Sequence, residues 1–127
     1  MSFYAVAVAV AVATSAVALL LGIGWLVAGT LLLKRWHVRA NPEALLVGRR
    51  LGAAYVGIAV LLFLGRHAPA SDLRNAVCIG LLVALAALAV LGLLEFEAER
   101  AGRGILVSVI SEALLAAGFA SVLLEQD

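Results

Sequence analysis

From Ala5 to Leu33 the chain carries no charged residue, a run of 29 residues. Alanine and valine alternate from Ala5 to Ala13, and alternation alone suggests a strand. Length decides otherwise. As a helix the run spans about 43 Å at about 1.5 Å per residue, against a hydrocarbon core of about 30 Å. The excess predicts a tilted transmembrane helix; the alternatives are that its first turns leave the membrane or that it breaks near Gly22, Gly24 or Gly29. A cleaved signal peptide fits poorly, because no positive region precedes the run and it far exceeds a signal's apolar stretch.

The rest of the chain is equally apolar. Hydrophobic residues make up 65%, charged residues 13%, and mean hydropathy is +1.16. A soluble domain of this size leaves roughly a third of its surface facing water. Nine Lys/Arg and eight Asp/Glu cannot cover that surface over 127 residues. A water-soluble globule, a disordered chain and a disulfide-stapled scaffold are therefore excluded.

Three further helices follow. Asn41 is a good N-cap, and Pro42 and Glu43 suit a first turn; this second segment runs to Leu64, with Gly65 as its stop. Ser71 caps the third, with Asp72 in its first turn, and the segment crosses the bilayer from about residue 76 to 94. The fourth runs from about 104 to 124, interrupted only by Glu112. The links are short, so sequential helices should be antiparallel neighbours. The expected fold is all-α: one polytopic transmembrane domain over residues 1–127, an antiparallel four-helix bundle. Its helices are expected at about 5–33, 42–64, 73–94 and 104–124. Lipid-exposed open sheets are not viable.

Basic residues give an orientation. Lys34, Arg35, Arg39, Arg49, Arg50, Arg100 and Arg103 fall on one side, and only Arg66 and Arg74 on the other. The positive-inside rule then places residues 34–43 and 95–103 in the cytoplasm and both termini outside. Lys34, Arg35, His37 and Arg39 read mainly as this topology signal, with lipid head groups as a secondary reading. Trp36 reads as an interface anchor. A weak repeat at an offset of 61 aligns Arg39-Ala40 with Arg100-Ala101 and Gly57-Ile58-Ala59 with Gly118-Phe119-Ala120. It suggests two helical hairpins of one orientation.

Charges within membrane segments are costly and face a partner or a cavity. Here these are Arg49, Arg50 and Glu112, at a similar depth on helices that start from one face. With Tyr55 and Ser108 they form the candidate polar pocket. Glu112 is expected to face the bundle interior, paired with an arginine. Arg50 is preferred inward because its helix face continues through Ala54 and Gly57, with Arg49 left to snorkel. An anionic or zwitterionic ligand, or protons, would suit such a cluster; a structural ion pair is the plainer reading. Gly48-x-x-x-Gly52 allows close packing, within the bundle rather than between chains. Cys78, the one cysteine, reads as a small buried hydrophobe. His37 and His67 follow different helices and lie on opposite faces. No metal site, cofactor motif or catalytic motif is legible, so neither a cofactor nor enzyme activity is expected, and the net charge of +1 speaks against nucleic acid.

The run Arg50-Leu51-Gly52-Ala53-Ala54-Tyr55-Val56-Gly57 resembles part of the pattern in small bacterial four-helix membrane proteins of the uncharacterised DUF4345-like group. There an arginine precedes a Tyr-Gly element in helix two, and a glutamate occurs in the last helix, which Glu112-Ala113-Leu114-Leu115-Ala116 matches. Val56 separates the tyrosine from Gly57, a departure from the pattern. The resemblance covers roughly residues 42–120 and implies a bacterial inner-membrane protein without transferring an activity. The small multidrug transporters are similar in size and helix number, but their essential glutamate lies in helix one, which has no carboxylate here. The expectation is a structural or interaction role, self-associating or as an accessory subunit of a membrane complex, with membrane lipids around it. The alternative is a small oligomeric transporter or channel using the Arg49/Arg50/Glu112 level.

Overall fold

A computed structural model describes residues 3–124. It contains four helices: α1 (Phe3–Arg35), α2 (Pro42–Leu64), α3 (Asp72–Glu97) and α4 (Ile105–Leu124). All four are long and apolar enough to cross a membrane, and there is no strand among the described residues. The protein is a polytopic four-helix membrane bundle. Local chemistry sets the helix ends. Asn41 Oδ1 accepts from the Ala44 N–H at 2.7 Å, and Ser71 Oγ accepts from the Arg74 N–H at 3.1 Å, so each satisfies an N–H the first turn leaves unpaired.

Both helices that enter the 36–41 and 98–104 links end alike. His37 and Glu99 take the left-handed conformation, with φ 57° and 61°. The N–H of Val38 bonds to Leu33 O and that of Arg100 to Glu95 O, each at 2.9 Å. These are Schellman caps built without glycine. A side chain in this region costs about 1 kcal/mol, partly offset in the unfolded chain when glycine is used instead. Glu99, exposed at the link, therefore offers a simple gain. Glu99→Gly is expected to stabilise the protein by about 0.5 kcal/mol, read as a later midpoint in denaturant titration of micelles.

α1 is not the straight, tilted helix expected. Ala28 leaves helical geometry (φ −139°, ψ 35°) one residue before Gly29, where a glycine weakens the helix. The bend is large. A straight helix rises about 16 Å between positions 25 and 36, yet the Trp25 and Trp36 rings meet edge to face with centroids 5.7 Å apart. Leu32 likewise folds back beside Gly24. Trp36, expected as an interface anchor, is half-buried against Trp25.

The helices pair as hairpins. α1 packs on α2 and α3 on α4, and α1 also packs on α4, which joins the two hairpins. In the α1–α2 seam, Gly22 and Gly52 bring the backbones together: a Cβ on Gly52 would lie 2.7 Å from the Gly22 carbonyl oxygen. The Trp25 ring lies over Gly48. The Gly48-x-x-x-Gly52 pattern thus serves packing inside the bundle. Ser15 Oγ donates to Ala59 O at 2.8 Å across the same seam.

α2 and α3 stay apart along their backbones. They meet through side chains at one end, where Leu62, Cys78, Phe119 and Val122 form a buried cluster. Cys78 is free and buried there, as a small hydrophobe. At the other end the two links touch: the Gly102 N–H donates to Trp36 O at 2.7 Å, and Gly102 lies against the His37 ring. Beside them Arg100 and Glu95 form an exposed ion pair at 2.6 Å, and the hydrogen bonds that Arg100 donates to that carboxylate raise it above the ordinary arginine range.

Candidate functional site

The inward arc of α2 follows from its small residues. Adjacent helix positions are about 100° apart. With Gly48 and Gly52 turned to α1, Leu51, Tyr55 and Ile58 fall beside them and face the bundle axis. Arg49 and Arg50 fall about 100° and about 200° round from Gly48. Both are exposed. The expected inward turn of Arg50 is therefore corrected. Ala54 does reach the axis at the arc's edge, but Gly57, on the same face as Arg50, has nothing within 4 Å of a Cβ position.

On α4, Ser108, Ser111, Glu112 and Leu115 share one face. That face and the inward arc of α2 line a cavity of about 530 Å³ between all four helices. α1 contributes Thr14 and Leu21, and α3 contributes alanines and leucines between Leu81 and Leu91. The separation of α2 from α3 leaves the cavity's fourth side without a packed seam. Of the five candidate site residues, Tyr55, Ser108 and Glu112 are brought together, and Arg49 and Arg50 are not. Ser111 belongs with them; its position next to Glu112, three residues after Ser108, was the signal for it.

Glu112 makes no ion pair with any described residue. One of its carboxylate oxygens, Oε2, is shielded from solvent and has no hydrogen-bond partner. The expected pairing with Arg49 or Arg50 fails because the helix face that packs on α1 turns both arginines outward. The cluster that would have suited an anionic ligand does not form. What remains is a carboxylate at the wall of a largely apolar chamber, with hydroxyls from Tyr55, Ser108 and Ser111 on the same lining. Thr14 is the other hydroxyl there, and it donates back to Val10 O at 2.8 Å within its own helix.

A second cavity of about 220 Å³ lies toward the linked end and reaches Trp36 and Glu95. Tyr55, Ser108 and Glu112, with four leucines, line both this cavity and the larger one. Glu112 therefore stands at the junction of the two. At the opposite end the Leu62–Cys78–Phe119–Val122 cluster closes the bundle. Among the described residues no group of His, Cys, Asp and Glu is arranged to hold a metal ion. No protein-family model, curated protein or solved structure matches the chain.

Proposed function

We propose that the protein is a small membrane-embedded binding protein, with its ligand held in the four-helix cavity. The ligand is mostly apolar and carries one cationic or hydrogen-bond-donating group, such as an amine, that Glu112 receives. One observation carries this reading: Glu112, one of whose carboxylate oxygens is shielded without a hydrogen-bond partner among the described residues, lines an apolar chamber of about 530 Å³. A desolvated carboxylate is costly until a cation or donor reaches it, and apolar walls favour the body of an amphiphile. A bundle built only as a packing or accessory subunit would gain by filling that space. The apolar plug at the Leu62 end speaks for binding rather than an open channel.

Matched ligands test this in nanodiscs, with the fluorescence of Trp25 and Trp36 as the readout. Decylamine is expected to bind at least tenfold tighter than decanoate, with decanol between them. Equal binding of all three, or none, sinks the reading.

The proposal includes a setting. The resemblance to bacterial four-helix proteins supports an inner membrane, and the basic asymmetry supports cytoplasmic 34–41 and 95–103 links. In the serine background at Cys78, single cysteines at Arg39 and Ala101 are expected to resist an impermeant thiol label in intact cells, while one at Ala70 reacts. The reverse pattern overturns the orientation.

A further inference from the structure

The cavity at Glu112 is walled unevenly. On α1 its lining residues, between Thr14 and Leu21, are buried or half-buried, and so are Ser108, Ser111, Glu112 and Leu115 on α4. The exposed lining residues lie mainly on the other two helices: Leu51 and Ala54 on α2, and Ala84, Ala87 and Leu91 on α3. A residue that lines a cavity and also meets the surroundings stands on its rim. α2 and α3 share no backbone seam, and the alanines of this rim put little side chain into the gap between them.

The depth of the rim decides what it faces. Ala54 and Ala84 lie near the middle of α2 and α3, at the level of the hydrocarbon core and not of the head groups. Toward one end, side chains around Leu62 and Cys78 fill the gap. Toward the other, the Trp25–Trp36 pair and the hydrogen bond from the Gly102 N–H to Trp36 O draw the links together. We propose that the α2–α3 side is a lateral portal, and that the ligand received by Glu112 is an amphiphilic amine already dissolved in the bilayer, which enters sideways through it. The identity of that ligand rests on the Glu112 reading; the route rests on the rim. Polarity and charge choose the occupant. The rim is apolar, as an alkyl chain requires, and Glu112 is the one carboxylate among the described residues that line the chamber, so a cation is what it lacks. A ligand arriving from water would pass the linked end instead, by the smaller cavity at Trp36 and Glu95.

Two carbodiimides separate these routes without any amine. A carbodiimide adds across the O–H of a carboxyl group, and the adduct rearranges to a stable N-acylurea with no further reactant. In nanodiscs holding the full chain, bilayer-soluble dicyclohexylcarbodiimide is expected to label Glu112 at least tenfold faster than a water-soluble carbodiimide, read by peptide mass spectrometry. A strap across the portal should then slow it. In the Cys78→Ser background, Ala54→Cys/Ala84→Cys bridged by a bismaleimide is expected to label at least fivefold more slowly than the same protein capped with N-ethylmaleimide. Decylamine should associate and dissociate more slowly in the bridged protein at unchanged equilibrium affinity, which a mere distortion of the cavity would not produce. Equal labelling by the two reagents, faster labelling by the water-soluble one, or labelling by neither overturns the portal, as does a bridge that leaves the rate unchanged. Should the double variant fail to fold, the comparison of reagents on the parent chain still decides. Bridge-sensitive labelling without decylamine binding would sink the amine reading and keep the portal; decylamine binding with bridge-indifferent labelling would do the reverse.

Discussion

Gly52→Leu is expected to separate α1 from α2 and to destabilise the protein by about 3 kcal/mol, the upper end of what overpacking ordinarily costs. The reason is the kind of atom in the way. A Cβ at position 52 would lie 2.7 Å from the Gly22 carbonyl oxygen and 2.9 Å from Trp25 Cβ. A flexible side-chain tip could rotate aside, but a carbonyl within a helix and a Cβ can move only with their backbone. Leucine adds volume beyond that contact, so the helices must part, and the Ser15–Ala59 hydrogen bond across the seam goes with them. Gly57→Ala is the matched control. A Cβ there meets nothing within 4 Å, and alanine is the better helix former by about 1 kcal/mol, so this variant should equal or exceed the parent. The measurement is equilibrium unfolding in mixed micelles, followed by circular dichroism. A Gly52→Leu protein as stable as Gly57→Ala would show that the α1–α2 seam does not hold the fold.

Glu112→Gln is expected to leave the fold intact and to weaken decylamine binding by about thirtyfold. A hydrogen bond to a charged group contributes about 1.5–3 kcal/mol, and about 2 kcal/mol corresponds to about thirtyfold in affinity. The amide keeps the shape of the side chain and removes its charge. Stability should not fall, because no arginine is left unpaired: Arg49 and Arg50 are exposed and turned away from the cavity. Had the expected ion pair formed, removing the carboxylate would have left a desolvated arginine and a cost of about 1–3 kcal/mol. Unfolding and binding measured on one preparation separate the cases. Lost stability with unchanged amine binding points to a structural Glu112 and defeats the binding reading. Unchanged stability with weakened binding supports it.

Much of the fold was legible before the structure. The second helix was expected at 42–64 and is found at Pro42–Leu64, because Asn41, Pro42 and Gly65 are local signals that act over a few residues. Ser71 marked the start of α3 for the same reason. The candidate site was legible only in part. Glu112, Ser108 and Tyr55 were identifiable as polar groups within apolar segments, and the cost of burying them points inward whatever the detailed packing.

Which other residues join them was decided by tertiary structure. In water a helix shows its buried face, because one side is apolar and the other is not. In lipid both sides are apolar, so hydropathy says little about rotation around the axis. Gly48 and Gly52 settle that rotation by letting the Trp25 ring and the Gly22 backbone approach. Once they turn toward α1, Arg49 and Arg50 must point out. The break at Ala28 was also beyond local reading, since three glycines in α1 were equal candidates and the bend is held by Trp36 meeting Trp25. The sequence by itself determined that the chain spans a membrane four times, where the later helices begin, and that a carboxylate lies within the last span. Long-range packing alone decided that this carboxylate faces a cavity without an arginine, because helix rotation in lipid is set by close contact between small residues and not by polarity.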